Sequence, residues 1–332
     1  MTHPAATGLN VELGHGKLPT LRADASGEAA RWVAEHRDAL RAAVTEHGSL
    51  VVRGLGLREA AETEAVFRAL GTLMTEREGF AERRVYAQGV YSASKWPRNQ
   101  AMCVHHELSY ALEFPSLMLF ACLTRATRGG ATPVADATAV LEALPAALVE
   151  RLERVGWLLV RSYNDDIGAS VADAFGTGDR EAIEMYCRAN AIKFEWLPDG
   201  TLRTSQRRSA LVRHPLTGQR SWFNQIAFLS EWTMNPEVRE YLVDEYGEDA
   251  LPFRTRFGDG DPIGADIVEL INGAYEANTV REPWEAGDLL LVDNIRMAHG
   301  RDPFEGPREI VVGLADAVRL ADCSPTIDVA GR

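Results

Sequence analysis

Two histidines and a glutamate, widely separated along the chain, constrain the fold more than any other feature of this sequence. His105 and Glu107 stand two residues apart, and His299 lies far downstream. In a β-strand, alternate side chains point to the same face, so a strand here places His105 and Glu107 together and turns His106 away. Such a pair can chelate one ion. The sequence therefore predicts a metal site on a strand, completed by a residue from a distant part of the chain.

This set of residue types predicts a catalytic site. Two histidines and one carboxylate are the ligands of non-haem Fe(II) oxygenases, and they leave one side of the metal open for co-substrate and O2. A structural metal site is normally closed by four protein ligands. Two alternatives stay open at this level. The short motif around His105 could be a polar strand end without a metal, or the same residues could hold zinc or manganese in a cupin-like protein without oxygenase activity.

The residues around His299 indicate two strands joined by a polar loop. Residues 289–292 are an apolar run after a Gly-Asp turn, and residues 309–314 are a second strand-like run. Arg308 stands at the head of the second run, where its guanidinium can bind a carboxylate through two parallel hydrogen bonds. The alternative for Arg308 is an ordinary surface salt bridge.

The apolar pattern predicts helices around a sheet-rich core. Helices are expected at residues 28–47, 59–70, 137–155, 236–246 and 261–278, and Pro145 is expected to start the second half of the helix at 137–155. Residues 166–192 also have a helical pattern, but Gly168, Gly176 and Gly178 are expected to break it. Strands are expected at residues 115–123 and 157–162, and the stretch 88–100, rich in Gly, Ser, Pro and Asn, is predicted to be a long loop. These elements predict a mainly β fold with helical decoration, built on a double-stranded β-helix (jelly roll) whose mouth can hold a metal and a ligand.

Length and composition indicate a globular enzyme. A chain of 332 residues with 46% hydrophobic and 25% charged residues can bury a large core. We expect an irregular segment at residues 1–26, a single domain at 27–320 and a tail at 321–332. The net charge of −13 argues against a nucleic-acid partner held by bulk electrostatics.

Targeting signals and paired cysteines are not apparent in the sequence. No stretch reaches the roughly 18 apolar residues that a membrane span needs, and the first residues lack the basic and apolar regions of a secretory signal. The cysteines show no paired spacing, which suits a reducing compartment; they are Cys103, Cys122, Cys187 and Cys323. We therefore expect a cytoplasmic protein that acts on a small molecule without a membrane or nucleic-acid partner.

Several blocks resemble the Fe(II)/2-oxoglutarate dioxygenases of the taurine dioxygenase group. The C-terminal blocks comprise Trp284, Gly287, Asp288, Asp293, Asn294, His299, Gly300, Arg301, Phe304, Gly306 and Arg308. The upstream blocks are residues 103–110, 114–115 and 129–136, with weaker similarity at 50–54 and 222–225. Glu107, followed by Ser109 and Tyr110, is most similar to the clavaminate synthase-like branch and to syringomycin-type amino-acid hydroxylases.

The resemblance implies a cofactor and two co-substrates. It implies that His105, Glu107 and His299 bind Fe(II), and that O2 and 2-oxoglutarate are consumed together. It also implies that Arg308 and Thr132 bind the distal carboxylate of 2-oxoglutarate.

The chain departs from the resemblance at one position. Related enzymes often carry a second arginine four residues after the first, and Val312 stands there in this chain. Any arginine contact to the other end of 2-oxoglutarate must therefore come from elsewhere.

The resemblance also suggests the substrate class. It favours hydroxylation of an amino acid or an amino-acid-derived substrate, free or tethered to a carrier protein, in natural-product biosynthesis. Desaturation, cyclisation and epoxidation use the same iron chemistry and stay open. Candidate substrate-binding residues are Tyr110, Asn224 and Gln225. The alternative for Asn224 and Gln225 is a place in the core with their amides hydrogen-bonded.

Overall fold

The computed structural model describes residues 9–25, 27–79, 81–163 and 169–328. Its strands are β1 (Thr20–Arg22), β2 (Ser49–Arg53), β3 (Val85–Ala87), β4 (Val90–Ser92), β5 (Met102–His105), β6 (Glu113–Thr124), β7 (Arg128–Gly129), β8 (Val134–Asp136), β9 (Trp157–Tyr163), β10 (Lys193–Trp196), β11 (Leu202–Arg208), β12 (Leu211–Arg213), β13 (Arg220–Trp222), β14 (Phe253–Phe257), β15 (Thr279–Val280), β16 (Leu289–Asp293), β17 (Met297–Arg301), β18 (Phe304–Glu305) and β19 (Glu309–Arg319).

The helices lie mostly outside the sheets. The α-helices are α1 (Ala29–His47), α2 (Ala60–Leu70), α3 (Ala137–Ala143), α4 (Ala146–Val155), α5 (Val171–Phe175), α6 (Arg180–Ala189), α7 (Pro236–Tyr246) and α8 (Ala265–Ala277). Short 3-10 turns occupy Glu231–Thr233, Glu248–Ala250 and Leu320–Cys323. Within the described part of the chain, none of these helices has both the length and the apolar character needed to cross a membrane.

A seven-stranded sheet, here called the major sheet, is covered on both faces. Its strand order is β1-β2-β16-β6-β19-β4-β3. Leu289 and Leu291 of β16 pack into a core shared with α1 and α2, whereas Leu290 and Val292 pack into a second core. This alternation follows from the two-residue period of a strand, and it explains why residues 289–292 are continuously apolar.

The second core joins the major sheet to a four-stranded sheet, here called the minor sheet. The minor sheet has the order β15-β8-β17-β5. His299 of β17 pairs directly with His105 of β5 on one side and with Val134 of β8 on the other. Directly paired residues on neighbouring strands have close side chains. This pairing brings together two histidines that are far apart in sequence.

A further four-stranded sheet, here called the lateral sheet, lies beside these two. Its order is β10-β11-β9-β14, and its strand β9 confirms the strand predicted at residues 157–162. Ile183 and Cys187 of α6 pack with Leu202 and Tyr163 of this sheet in a small apolar cluster. The predicted mainly β architecture with helices outside is thus confirmed.

Helix boundaries agree with the sequence prediction to within about one residue for α1, α2 and α7. The helix predicted at residues 137–155 is helical over most of its length, but it is two helices that separate at Leu144 and Pro145, where its second half was expected to start. Proline disfavours helical geometry in the residue before it and is well tolerated where a helix begins, so the chain breaks here and restarts.

Two other predictions on elements need correction. The predicted loop at 88–100 contains β4, which pairs with β19 of the major sheet. The helix predicted from residue 261 begins only at Ala265, because Pro262 bridges to Arg256 of β14 instead.

The predicted break in the helical stretch 166–192 is confirmed. Helix α5 ends at Phe175, immediately before Gly176, and α6 begins at Arg180. Residues 166–168 lie outside the described part of the chain.

The predicted terminal segments are also more ordered than expected where they are described. Within the segment 1–26, β1 pairs in parallel with β2, whereas residues 1–8 and 26 lie outside the described residues. In the predicted tail, Cys323 is buried and the Ile327 amide donates to Ser209 Oγ at 3.1 Å. The single domain at 27–320 stays a prediction.

Candidate active site

Three buried side chains converge where the minor sheet faces the major sheet. One ligand atom from each of His105, Glu107 and His299 lies within 4.8 Å of the others. His299 Nε2 is 3.7 Å from Glu107 Oε2, and the two imidazole centroids are 4.9 Å apart. Phe120 of β6 packs its ring 4.9 Å from the His299 ring and closes the site on the side of the major sheet. The structure therefore brings the predicted ligand set together.

Glu107 reaches this position by a different route from the one predicted. The sequence places His105 and Glu107 on one strand, but β5 ends at His105 and Glu107 lies in the turn that follows. Leu108, the next residue, has a left-handed backbone with φ of 54°. The prediction that His105 and Glu107 share one strand face is thus wrong. A sharp turn after β5 directs the Glu107 carboxylate toward the histidines.

Asn294 holds that turn in place. Its side chain is fully buried; Oδ1 accepts from the Glu107 amide at 2.8 Å, and Nδ2 donates to the carbonyls of Glu107 at 3.0 Å and Pro115 at 2.8 Å. The Asn294 carbonyl accepts from His106 Nδ1 at 2.6 Å. One side chain after β16 thereby fixes the backbone on both sides of the Glu107 side chain.

Replacing Asn294 with alanine is expected to weaken metal binding by about 10- to 100-fold, the usual effect of losing a residue that orients a ligand. It leaves three buried backbone groups without their partner, each at a cost of about 1 to 3 kcal/mol. Asn294→Asp keeps the hydrogen-bond acceptor and loses the donor, so its metal affinity should lie between those of wild type and Asn294→Ala. The measurement is Co(II) affinity by its visible spectrum, beside the melting temperature. Unchanged affinity in a destabilised Asn294→Ala variant would contradict this role.

The protonation states of the site suit a metal ion. Burial, with a smaller contribution from His299, lowers the pKa of His105 to about 3. His105 Nδ1 donates to the Cys103 carbonyl at 2.9 Å, which leaves Nε2 as the metal-binding lone pair. Burial raises the pKa of the Glu107 carboxyl, but Arg83 and the histidines outweigh it and hold that pKa well below its ordinary value. A neutral imidazole and an ionised carboxylate are forms in which these ligands bind Fe(II).

Arg83 is a residue of the site that sequence reasoning missed. Its Nη2 donates to both oxygens of Glu107 at 3.2 and 3.0 Å, and its Nε donates to Ser94 Oγ at 3.0 Å. Glu76 lies 3.4 Å from the same Nε. Burial outweighs the charge of Arg83 and raises the pKa of the Glu76 carboxyl to about 7. No motif surrounds Arg83, and only the fold brings it to Glu107.

The segment that carries Arg83 is tied to the lateral sheet through Glu78. The Glu78 carboxylate accepts from Tyr186 Oη at 2.7 Å and Gln206 Nε2 at 3.2 Å. Its carbonyl accepts from Tyr110 Oη at 2.7 Å and from Arg161 Nη1 at 3.0 Å. Side chains of several elements thus fix residues 76–78 in place.

Arg308 and Thr132 both line the cavity of the site. Arg308 Nε donates to the Gly130 carbonyl at 2.9 Å, and Thr132 Oγ1 accepts from Trp284 Nε1 at 3.2 Å. Among the described residues, no carboxylate forms an ion pair with Arg308, so the alternative of a surface salt bridge is not supported. Burial, and secondarily Arg301, lowers the pKa of Arg308 to about 10, so the guanidinium is charged near neutral pH.

Gly130 is required for the placement of Arg308. Its φ is +72°, and a Cβ there would lie 3.0 Å from Phe304 Cβ and 3.1 Å from Arg308 Cδ. Gly130→Ala is expected to destabilise the fold by about 1 to 3 kcal/mol, from backbone strain, and to weaken 2-oxoglutarate binding in addition. Gly218→Ala, at φ +71° with nothing within 4 Å, carries the strain alone. Equal 2-oxoglutarate dissociation constants in Gly130→Ala and Gly218→Ala would contradict the expected weakening of 2-oxoglutarate binding.

A small cavity joins these groups. Its volume is about 40 Å³, and its walls include Arg83, Thr132, Arg308 and the three ligand side chains. Val312, at the position of the missing second arginine, also lines it. This volume holds only about three water molecules.

The predicted substrate residues lie outside this cavity wall. Tyr110 is buried and donates to the Glu78 carbonyl. Asn224 Nδ2 donates to the Ala210 carbonyl at 2.9 Å, and Gln225 Nε2 donates to the His106 carbonyl at 2.7 Å. In this conformation these donors bind backbone carbonyls, whereas Gln225 Oε1 is buried without a hydrogen-bond partner among the described residues. The role of the three residues in substrate binding stays a prediction.

A sheet-rich core with two histidines and a carboxylate defines the class of mononuclear non-haem iron oxygenases. Residues 17–314 match the model of the family described as Taurine catabolism dioxygenase TauD, TfdA family. The chain belongs to this family. It is an Fe(II)- and 2-oxoglutarate-dependent dioxygenase that uses O2, as the sequence resemblance implied.

Two curated relatives cover most of the chain. The dapdiamide synthesis protein DdaC of Enterobacter agglomerans is 35% identical over 276 residues, which are 83% of this chain and 84% of that protein. A clavaminate synthase-like protein of Arabidopsis thaliana is 30% identical over 280 residues, 81% of this chain and 82% of that protein.

Solved structures confirm the fold. PvcB from Pseudomonas aeruginosa superposes with a TM-score of 0.52 at 16% identity, covering 91% of this chain and 88% of that one. A putative 2,4-D dioxygenase from Burkholderia xenovorans also gives 0.52 at 16% identity, covering 93% and 96%. These likenesses confirm the predicted jelly-roll core.

Proposed function

We propose that this enzyme hydroxylates an amino acid or an amino-acid-derived substrate, free or bound to a carrier protein, in natural-product biosynthesis in the cytoplasm. The observation that carries the proposal is the intact ligand set of His105, Glu107 and His299, which lines the same cavity as Arg308. The similarity to a dapdiamide synthesis protein supports the biosynthetic role. The free thiols of the described cysteines suit a reducing compartment.

The roles of the residues follow from their positions. His105, Glu107 and His299 would hold Fe(II), which couples oxidative decarboxylation of 2-oxoglutarate by O2 to oxidation of a substrate C–H bond. Arg308 and Thr132 bind the distal carboxylate of 2-oxoglutarate and so orient it toward the ligands.

Apolar side chains complete the site. Met102, Phe120, Ile310 and Val312 line the cavity beside the polar groups. They limit the water that reaches the reacting atoms, which strengthens the electrostatic contacts made by Arg308 and Glu107. The same walls would hold an aliphatic part of the substrate.

The test starts without a substrate. Anaerobic titration of Fe(II) and 2-oxoglutarate should produce the visible metal-to-ligand charge-transfer band of the chelate. A panel of amino acids, each offered free and as a carrier-protein thioester, is then screened for accelerated succinate release. Mass spectrometry under 18O2 separates hydroxylation, which incorporates label, from desaturation or cyclisation, which do not.

The outcomes separate the competing functions. Accelerated succinate release with an 18O-labelled amino-acid product supports the proposal, and the preferred form of the substrate decides whether a carrier protein is the partner. Epoxidation also incorporates label and is recognised from the product structure. A chain that binds Zn(II) or Mn(II) but forms no charge-transfer band with Fe(II) and 2-oxoglutarate would instead be a cupin-like metal-binding protein.

A further inference from the structure

Arg83 has one hydrogen-bonding group without a partner inside the active site. Its side chain is buried at 6% exposure and lines the cavity. Nη2 and Nε are bound to Glu107 and Ser94. Nη1 is buried and has no hydrogen-bond acceptor among the described residues. An unsatisfied buried donor is costly, and in a native structure it commonly marks the place of a missing ligand or ion.

The guanidinium stays charged at this place. An arginine guanidinium stays protonated in proteins, and that of Arg83 pairs with the Glu107 carboxylate at 3.0 Å. When Glu107 binds a metal ion, its charge is shared with that ion. The free Nη1 then presents a positive charge beside the metal site, with donor geometry that suits a carboxylate.

The other arginines of the cavity are placed differently. Both Nη atoms of Arg301 donate to the carbonyls of Trp96, Pro97 and Gln100, and only its Nε is buried without a partner among the described residues, so Arg301 offers no free Nη group. Arg308 stands beside Thr132 and Gly130, where we place the distal carboxylate. At position 312 the cavity is lined by valine, so no guanidinium comes from there.

We propose that Arg83 is the second anion-binding residue of the active site, and that its Nη1 binds a carboxylate held beside the metal. The proposal rests on the proposed 2-oxoglutarate site. Two sources supply this chemistry: the metal-chelating carboxylate of 2-oxoglutarate, and a free carboxylate of the amino-acid substrate. The residue takes the role left open by Val312, but from a different part of the fold.

The first arm measures binding without turnover. Wild type and Arg83→Met are loaded with Mn(II), their metal content is determined, and N-oxalylglycine, a dicarboxylate analogue of 2-oxoglutarate, is titrated by calorimetry. If 2-oxoglutarate is the source, the dissociation constant rises by about 10- to 150-fold, as expected for a lost charged hydrogen bond. If Arg83→Met does not retain metal, Arg83→Lys replaces it, because lysine keeps the charge but not the fork.

The second arm addresses the substrate. Enzyme loaded with Fe(II) and saturated with 2-oxoglutarate is given L-amino acids and their C-terminal amides, and succinate release is compared. If the substrate is the source, wild type prefers the acid over the amide, and Arg83→Met loses that preference while its N-oxalylglycine affinity stays near wild type.

A matched control separates recognition from packing. Glu76→Gln removes the other carboxylate beside Arg83 and keeps the guanidinium, so it should leave N-oxalylglycine affinity and acid preference near wild type. An equal loss in Glu76→Gln and Arg83→Met would overturn the proposal, as would an Arg83→Met variant with wild-type affinity and wild-type acid preference. Failure of the proposed function gives a different result. In that case no amino acid accelerates succinate release by wild type, while the effect of Arg83→Met on N-oxalylglycine binding can still be measured.

Discussion

Alanine at His105, Glu107 or His299 is expected to reduce turnover by about a thousandfold or more. A bound metal contributes several kcal/mol to the transition state, and about 4 kcal/mol corresponds to a thousandfold in rate. With one ligand removed, the remaining pair is too weak to hold Fe(II) in the open three-ligand geometry. The measurements are iron content after anaerobic loading and 2-oxoglutarate-dependent succinate release.

The controls for these variants address folding. The ligands are buried, so each variant also needs a melting curve, and Glu107→Gln keeps the shape of the side chain while removing its charge. His36→Ala, in α1 and distant from the cavity lining, should retain full iron content. An alanine variant of any ligand with near-native iron content and turnover would remove that residue from the metal site.

Arg308→Lys is expected to weaken 2-oxoglutarate binding by about 10- to 150-fold at neutral pH, because lysine cannot form the two parallel hydrogen bonds of the guanidinium. The loss should grow with pH. A lysine has an ordinary pKa of about 10.4, and the burial that lowers the pKa of Arg308 would lower that of the lysine also. The variant therefore loses its charge as the pH rises, while wild type keeps its charge over more of the alkaline range.

The experiment is a titration of 2-oxoglutarate at about pH 7 and about pH 9 into the Fe(II)-loaded protein, followed through the charge-transfer band. Arg128→Lys is the matched control, because Arg128 is exposed and pairs with Glu305 at the surface. If Arg308→Lys binds 2-oxoglutarate as tightly as wild type at both pH values, another residue binds the distal carboxylate.

The sequence predicted the parts of the site that depend on local pattern. Continuous apolar residues indicated β16. The two histidines together with Glu107 indicated a three-ligand metal centre. It did not predict how Glu107 reaches the metal, because that turn depends on Asn294, which is distant in sequence and was recognised only as part of a family block. The sequence also indicated where α3 and α4 meet, because Pro145 is a strong local signal for the start of a helix.

Arg83 illustrates the opposite limit. Its position depends on the pairing of β3 and β4 with the major sheet and on contacts of Glu78 with the lateral sheet, none of which leaves a short motif. Similarly, Asn224 and Gln225 resembled pocket residues in type, but their hydrogen bonds to the backbone could be found only from the three-dimensional arrangement.

The attachment of Glu78 has a consequence for how this enzyme can diversify. The two histidine ligands are set by paired strands, whereas Glu78, near Arg83 in the chain, is held by Tyr186 of α6 and by Gln206 and Arg161 of the lateral sheet. Mutations in that region can reshape one wall of the cavity without disturbing the backbone ladder that carries the histidines. Descendants of such a protein can therefore acquire new substrates while they inherit the same oxidation chemistry.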